Sequence, residues 1–240
     1  MEGGPARLGS GGAQAQSLMP PRIELLGRAD YSGTLAAMRE FTLRRGVHDA
    51  DRIWLCEHDA VYTLGIAGRP QHVHDARGIP IVHTERGGQV TFHGPGQVVA
   101  YPLVDLKRLG IYVKEFVHRL EHCVLQTLLA HGVTGHRVAG APGVYVRLAD
   151  PFGHAALRVS AADGFAGLGK IAALGIKVSR HCTYHGLALN VAMDLTPFSS
   201  IDPCGYTQLR VIDLATLGVR ADWPAVAGEL GECLAAHLAP

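Results

Sequence analysis

The chain has 240 residues, 48% of them hydrophobic, and a formal net charge of +1 at pH 7, so it can bury a large core and fits a single α/β domain. This near-neutral charge gives no electrostatic support for nucleic acid or a membrane surface as a partner, and the sequence has neither an apolar run of about 18 residues nor a secretory signal. The 5 cysteines are scattered and none belongs to a Cys-x-x-Cys pair, which argues against a disulfide framework and predicts a cytoplasmic protein.

The first part of the chain predicts a tail followed by packed elements. Residues 1 to 20 are rich in Gly, Ala, Gln, Ser and Pro, so they cannot offset the entropy cost of ordering, and we expect one folded domain over residues 21 to 240. The predicted elements that follow are a strand at 23–26, a helix capped by Asp30 and ending before Gly46, and strands at 52–58 and 61–65.

The most distinctive stretch is a glycine-rich run, which we interpret as a loop between strands at 79–84 and 98–106. It reads Arg86-Gly87-Gly88-Gln89-Val90-Thr91-Phe92-His93-Gly94-Pro95-Gly96-Gln97. Its glycines allow positive φ and a close approach of ligand to main chain, and unpaired N–H groups in such turns bind carbonyl or phosphate oxygens. The run lacks the spacing of a Walker loop or a dinucleotide fingerprint, and a plain surface turn is the alternative interpretation.

The second half of the chain predicts one long helix, then mostly strands. The segment 148–169 is long for a hairpin connection and is either a mobile flap or a plain surface extension. A final helix is expected with Asp222 as its N-cap, after a short strand-like or helical segment. The elements expected before it are a helix at 112–130 and strands at 143–147, 170–180 with a break at Gly175, and 182–195.

Two residues outside the glycine-rich run are candidates for chemistry. Cys204 lies between Pro203, which fixes φ, and Gly205, which frees it, so a rigid turn can hold the thiol outward. Such a thiol needs a neighbouring cation or base to act as a nucleophile. Lys170 begins an apolar strand, so it either ends that strand in solvent or enters a site where its charge favours a thiolate.

Metal ligation is not expected. His72 and His74 are interpreted as solvated loop histidines, because no acidic or thiol ligand lies near them in sequence. The spacing His181-Cys182-x-x-His185 resembles a metal motif, but strand alternation places Cys182 on the opposite face from the two histidines. His185 followed by Gly186 is instead interpreted as a second approach of main chain to ligand, with Gly186 leaving the room.

Four ordered motifs resemble the octanoyltransferases of lipoate biosynthesis: the run 86–97, Lys-Ile-Ala-Ala-Leu-Gly from Lys170, His-Gly-Leu-Ala-Leu-Asn-Val from His185, and Pro-Cys-Gly around Cys204. The resemblance covers roughly residues 22 to 218. It implies an α/β fold, a mixed sheet with flanking helices like that of biotin and lipoate ligases. It also implies that Cys204 forms an acyl thioester, that Lys170 lowers the pKa of its thiol, and that a substrate site is lined by Arg86, Gly87, Gly88, Gln89, Val90, Thr91, Phe92, His93, Ala173, Leu174, Gly175, Gly186, Leu187 and Ala188.

The activity implied by this resemblance is transfer of an octanoyl or lipoyl group, without cofactor, from acyl carrier protein to a lysine. The implied acceptors are the lipoyl domains of 2-oxoacid dehydrogenases and the glycine cleavage H protein, and we expect a monomer. The alternatives are an ATP-dependent lipoate or octanoate ligase of the same fold and a non-enzymatic acyl-binding domain. Cys204 with Lys170 counts against both. His93 could be an acid–base catalyst, an oxyanion donor or a clamp on the loop, and we favour the clamp.

Overall fold

The structure is a computed structural model that describes residues 19 to 203 and 209 to 240. The predicted tail, except for its last two residues, and Cys204 lie outside these residues. No helix in the described part of the chain is long and apolar enough to cross a membrane.

Eleven strands form two sheets in the described residues. The large sheet has the order β1-β2-β6-β10-β9-β8-β7, and β11 pairs with β9. β1 runs parallel to β2 and β11 runs parallel to β9, whereas the other neighbours in this sheet are antiparallel, so the sheet is mixed as expected. The strands are β1 (Arg22–Ala29), β2 (Arg52–His58), β3 (Val61–Leu64), β4 (Ile81–His83), β5 (Val90–His93), β6 (Gln97–Leu103), β7 (Gly135–Val138), β8 (Ala141–Arg147), β9 (Leu168–Ser179), β10 (Cys182–Asn190) and β11 (Arg210–Val211).

Helices cover both faces of the large sheet. The predicted caps are confirmed: Asp30 accepts a hydrogen bond from the Gly33 N–H, and Asp222 accepts one from the Ala225 N–H. On strand β2, Ile53 packs in the same core cluster as residues of the helices Val113–Ala130 and Trp223–His237. The neighbouring Trp54 packs with the helix Tyr31–Arg44. Both faces of this strand are therefore buried. The helices are α1 (Tyr31–Arg44), α2 (Leu106–Leu109), α3 (Val113–Ala130) and α4 (Trp223–His237).

The small sheet changes the interpretation of the glycine-rich run. Its order is β4-β3-β5, and β5 is formed by residues that we expected to lie in a loop. Val90 pairs with Leu64, and His93 pairs with Val61. Only the turns on either side of β5 are irregular, so the prediction of one continuous loop over 86–97 is wrong.

Other boundaries also differ from the sequence prediction. β9 continues through Gly175 without a break, because Gly175 stays in register opposite Gly186 of β10. β10 ends at Asn190 rather than at residue 195, and β7 and α2 were not predicted. The segment 148–169 lies on the surface as an extension. It is attached to the body by Arg147, which donates to the Ala156 carbonyl, and by Phe165, which stacks on Tyr145 with ring centroids 5.3 Å apart.

Candidate active site

Most of the predicted substrate residues surround one cleft, lined by residues of both sheets and α1. We call it the inner cleft. Twelve of the fourteen predicted residues line it, and Gly87 and Phe92 do not. Phe92 packs among the aromatic rings of the small sheet, against Tyr62 and Phe198. The lining consists of Tyr31, Arg86, Gly88, Gln89, Val90, Thr91, His93, Val99, Tyr101, Ala173, Leu174, Gly175, His185, Gly186, Leu187 and Ala188.

A second cleft adjoins the first, and we call it the outer cleft. The two clefts share Gly88, Gln89, Leu174 and Gly175 in their walls. Gly87 lines the outer cleft, together with Lys170, Tyr145 and Pro142 among other residues. The glycine-rich turn therefore lies between a cleft that contains Lys170 and a cleft that ends among aromatic rings.

Glycines bring the main chains of the two sheets together at this point. The Gly87 N–H donates to the Ile176 carbonyl at 2.9 Å, and a Cβ added to Gly175 would lie 2.8 Å from the Gly87 carbonyl oxygen. Gly186 has a different role from the expected one, since a Cβ there would clash with the carbonyl oxygen of Ala100 on β6. This glycine is required by the neighbouring strand, not by room for a ligand.

Arg86 holds the glycine-rich turn from inside. Its side chain is buried, with Nη2 donating to the Thr63 carbonyl at 2.6 Å and to the Gln89 carbonyl at 2.7 Å, and Nη1 donating to the Gly87 carbonyl at 3.0 Å. Nε donates to the Thr63 hydroxyl at 3.1 Å. Through these hydrogen bonds the charged guanidinium group holds three backbone carbonyl groups in place, and it thereby fixes part of the wall of the inner cleft.

His93 is a buried titratable residue of the inner cleft, held by a hydrogen bond and by ring stacking. Its Nδ1 lies 2.7 Å from Gln97 Oε1, and Gln97 in turn donates from Nε2 to Asn190 Oδ1 at 2.9 Å. The ring stacks on Tyr31 with centroids 5.7 Å apart. Burial lowers the pKa of His93 to about 3, so the imidazole is neutral at physiological pH. Because Gln97 Oε1 can only accept, Nδ1 carries the proton, and this arrangement favours the clamp interpretation.

We expect His93→Gln to keep turnover within about threefold of wild type, with an unchanged pH profile of turnover, because glutamine preserves hydrogen bonding and a neutral side chain.

His93 should also make the free energy of unfolding depend on pH. The unfolded chain takes up a proton at His93 near pH 6.5 that the folded chain refuses down to about pH 3, so the free energy of unfolding falls as pH falls through this range.

Each such proton changes the free energy of unfolding by up to about 1.4 kcal/mol per pH unit. His93→Gln should therefore flatten the pH dependence measured by urea unfolding between about pH 6 and pH 4. The same mutant losing one limb of the rate profile and several orders of magnitude in turnover would make His93 the catalytic base instead.

Sequence reasoning missed the residues that close the inner cleft behind His93. Tyr31 and Tyr101 both line it, and His58 connects to them, with Nε2 lying 2.8 Å from the Tyr101 hydroxyl. Burial raises the pKa of Tyr31 to about 12 and lowers that of His185 to about 4, so both are neutral. No local signal marked the tyrosines, because each occupies an ordinary position in its helix or strand and only the tertiary fold brings them together.

Lys170 is buried, with 4% of its surface exposed, so it does not end its strand in solvent. Nζ donates to the Pro142 carbonyl at 3.2 Å and lies 5.4 Å from the centre of the Tyr145 ring. Lys170 also lines a small hollow whose wall includes Pro203. Pro203 is the last described residue before Cys204 in the sequence.

A glutamate on α3 supports the start of strand β8, which faces Lys170. Glu121 Oε1 accepts the buried Gly143 N–H at 3.0 Å, and Oε2 accepts from Arg137 Nε at 2.9 Å. A Cβ added to Gly143 would lie 2.8 Å from Lys170 Cε. Glu121 therefore fixes the main chain that supplies the Pro142 carbonyl to the lysine.

The suspected metal motifs are dispersed in the described residues. His74 Nε2 lies 3.0 Å from an oxygen of Asp202, and Cys182 is buried at the start of β10. Within residues 19–203 and 209–240, one group of three potential ligands converges, and it consists of Cys123, Cys233 and His237, away from both motifs.

Comparison with known proteins assigns the chain to a family. Residues 30–233 match the model of the lipoyl protein ligase A/B catalytic domain. A relative named octanoyltransferase, from Polaromonas naphthalenivorans (strain CJ2), is 62% identical over 217 residues, which cover 90% of this chain and 97% of that protein.

Solved structures agree on the fold at low sequence identity. A bipartite lipoate protein ligase studied with its E2 lipoyl domain, from Thermoplasma acidophilum, superposes with a TM-score of 0.68 at 15% identity, covering 92% of this chain and 84% of that one. A biotin protein ligase from Aquifex aeolicus, in complex with biotin and ATP, gives a TM-score of 0.55 at 11% identity, covering 90% and 70% of the two chains.

Proposed function

The chain belongs to the lipoyl protein ligase A/B catalytic domain family, as a relative of its octanoyltransferases, and from that premise we propose that it transfers octanoyl groups through a thioester on Cys204. The activity is that of an acyltransferase acting in protein lipoylation. The proposed donor is octanoyl-acyl carrier protein, and the proposed acceptors are lysines of the lipoyl domains of 2-oxoacid dehydrogenases and of the glycine cleavage H protein.

One observation supports this chemistry above the others, namely the buried Lys170 in the hollow that also contains Pro203. A buried ammonium group favours a nearby thiolate by direct charge attraction. The inner cleft next to it is lined mainly by apolar side chains and backbone, which suits a hydrocarbon chain. The cleft for the acyl chain and the cation for the nucleophile thus lie on either side of the same glycine-rich turn.

In the proposed reaction Lys170 carries the protons. Its neutral amine takes the proton of the Cys204 thiol and becomes the ammonium group that stabilises the thiolate, which attacks the carbonyl carbon of the carrier thioester. The bond to the carrier sulfur breaks, and the proton leaves with the carrier thiol. The amine of the acceptor lysine then attacks the enzyme thioester, gives its proton to Lys170, and releases Cys204, which regains a proton. Backbone N–H groups of the glycine-bearing segments are proposed to stabilise the oxyanion in both steps.

An ATP-dependent ligase of the same fold is the competing function. The solved ligases are at or below 17% identity and support the fold alone, whereas relatives at 47–62% identity over most of the chain are named octanoyltransferase. The ligase reaction starts from a free acid and needs no cysteine nucleophile, so the two functions are separable by nucleotide dependence.

The deciding experiment is the intact mass of the full chain after incubation with octanoyl-acyl carrier protein in the absence of nucleotide. We expect a mass increase of one octanoyl group on Cys204, which disappears when an apo lipoyl domain is added and reappears on that domain. Acylation of the domain only when ATP and free octanoate are supplied would overturn the proposal in favour of the ligase.

Glu121 gives a graded test of the role of Lys170. Glu121→Ala removes the acceptor of the buried Gly143 N–H, so the start of β8 beside Lys170 should shift and kcat should fall roughly tenfold. Glu121→Gln keeps an acceptor oxygen and should stay close to wild type. The measurement is kcat with the pH profile of Cys204 alkylation. A fall in kcat with an unshifted profile would mean that Glu121 acts on the fold and not on Lys170.

The proposal also takes residues 21 to 240 as one catalytic domain that acts as a monomer in the cytoplasm. The family match over residues 30–233 supports the single domain. The scattered cysteines support a reducing compartment.

A further inference from the structure

Two cysteines and a histidine converge where α3 and α4 pack against each other. Cys123 belongs to α3, and Cys233 and His237 belong to α4, where they are one helical turn apart on the same face. One donor atom from each of the three lies within 4.8 Å of the others. From this convergence we propose that Cys123, Cys233 and His237 form a Zn²⁺ site, with water as the fourth ligand.

The separations suit a tetrahedral ion. With Zn–S near 2.3 Å and Zn–N near 2.05 Å, a tetrahedral angle places sulfur and nitrogen about 3.6 Å apart. Cys233 Sγ and His237 Nδ1 are 3.6 Å apart. The remaining separations need to contract by at most about 1.3 Å from their limit of 4.8 Å, because tetrahedral ligands at these bond lengths lie about 3.5 to 3.8 Å apart. Side-chain rotation alone can supply that movement.

Access and charge also fit a thiophilic cation. Cys123 is fully buried, whereas Cys233 is partly exposed and His237 is exposed, so an ion can enter from solvent on the α4 side. Binding displaces the thiol protons of Cys123 and Cys233 to solvent.

The bound ion would join the two helices. Around the proposed ligands the helices are connected by Arg119, which donates to the His237 carbonyl at 3.0 Å, and by the His131–Glu229 pair, whose atoms are 2.9 Å apart. Both contacts are polar and lie near the surface. A metal bonded to both helices adds a link that the unfolded chain lacks, so it stabilises the fold independently of acyl transfer.

The test uses the full-length chain with Cys204→Ser, which removes the other candidate metal-binding thiol, reduced and freed of metal by a chelator. Zn²⁺ should bind once per chain and raise the melting temperature by roughly 5 to 10 °C at a free concentration of about 100 Kd. Co²⁺ should give a thiolate-to-metal charge-transfer band and the intense visible bands of tetrahedral coordination. Absence of binding, or a Co²⁺ spectrum without thiolate charge transfer, would overturn the proposal.

Variants assign the ligands. Cys233→Ser and His237→Ala should each weaken Zn²⁺ binding at least tenfold, and both side chains are accessible enough for the variants to fold. The matched control is His131→Gln, which changes a histidine that pairs with Glu229 of α4 and is not one of the proposed ligands, and it should leave the affinity unchanged. Unchanged Zn²⁺ binding in Cys233→Ser would place the metal elsewhere. The same conclusion would follow if wild-type chain purified without reductant carried a disulfide between Cys123 and Cys233 and still bound Zn²⁺.

Discussion

Cys204→Ser is expected to abolish octanoyl transfer, with turnover falling on the order of 10³-fold or more, because a hydroxyl at the same position is far less ionised than a thiol. The substitution is close to isosteric, so the melting temperature should stay near that of wild type. The measurements are octanoylation of a lipoyl domain and the intact mass of the enzyme after exposure to the donor, which should no longer increase.

The matched control for this experiment is Cys182→Ala. Cys182 is buried at the start of β10, and its removal should leave turnover unchanged. If Cys204→Ser kept substantial activity and another cysteine carried the octanoyl group, the nucleophile would have to be reassigned. Cys56 and Cys123 are both fully buried in the apolar core, which makes them unsuitable to meet a carrier protein.

Lys170→Met is expected to lower kcat/KM by roughly 10² to 10⁴, the range typical of a lost acid–base group. Methionine retains the apolar stem that packs against Tyr145 and removes only the charge, so the loss is chemical more than structural. Without the ammonium, the thiolate of Cys204 is less favoured and its apparent pKa should rise. Iodoacetamide alkylation of Cys204 as a function of pH measures this shift directly.

Lys177→Met provides the control for Lys170→Met. Lys177 is on the same strand, β9, and is half-buried opposite Tyr184 of β10, outside both clefts. Its substitution should change neither turnover nor the alkylation profile. An alkylation profile of Lys170→Met that coincides with wild type would mean that Lys170 has no electrostatic effect on the thiol, and its role would then be packing in the wall of the outer cleft.

Helix capping and hydrophobic periodicity predicted the elements that form through interactions between residues close in sequence. Asp30 and Asp222 begin their helices as expected because capping involves a side chain and a main chain only three residues apart. The apolar stripe of α3 likewise predicted a helix that packs on the sheet. The substrate residues were identified by resemblance, and the fold brings twelve of the fourteen to one cleft.

Elements that depend on distant partners were not predictable in the same way. Val90 to His93 form a strand because β3 offers them a partner across a long sequence separation, and no property of the run itself shows that partner. Gly175 was expected to break β9, but opposite it Gly186 keeps the register, and both glycines accommodate carbonyl groups from elsewhere in the chain. The tyrosines that close the inner cleft are found only in the folded structure.

The close contact of main chains at Gly175 and Gly186 restricts how this enzyme can change its substrate range by point mutation. At both positions a side chain would meet a backbone carbonyl, and there is no side chain to shorten, so neither position can be used to narrow or widen the cleft. A variant selected for longer or shorter acyl chains should therefore carry its changes at residues that present side chains to the cavity, such as Tyr31, Val99 and Leu174. Directed evolution from this scaffold would leave the two glycines untouched and concentrate on the positions whose side chains line the cleft.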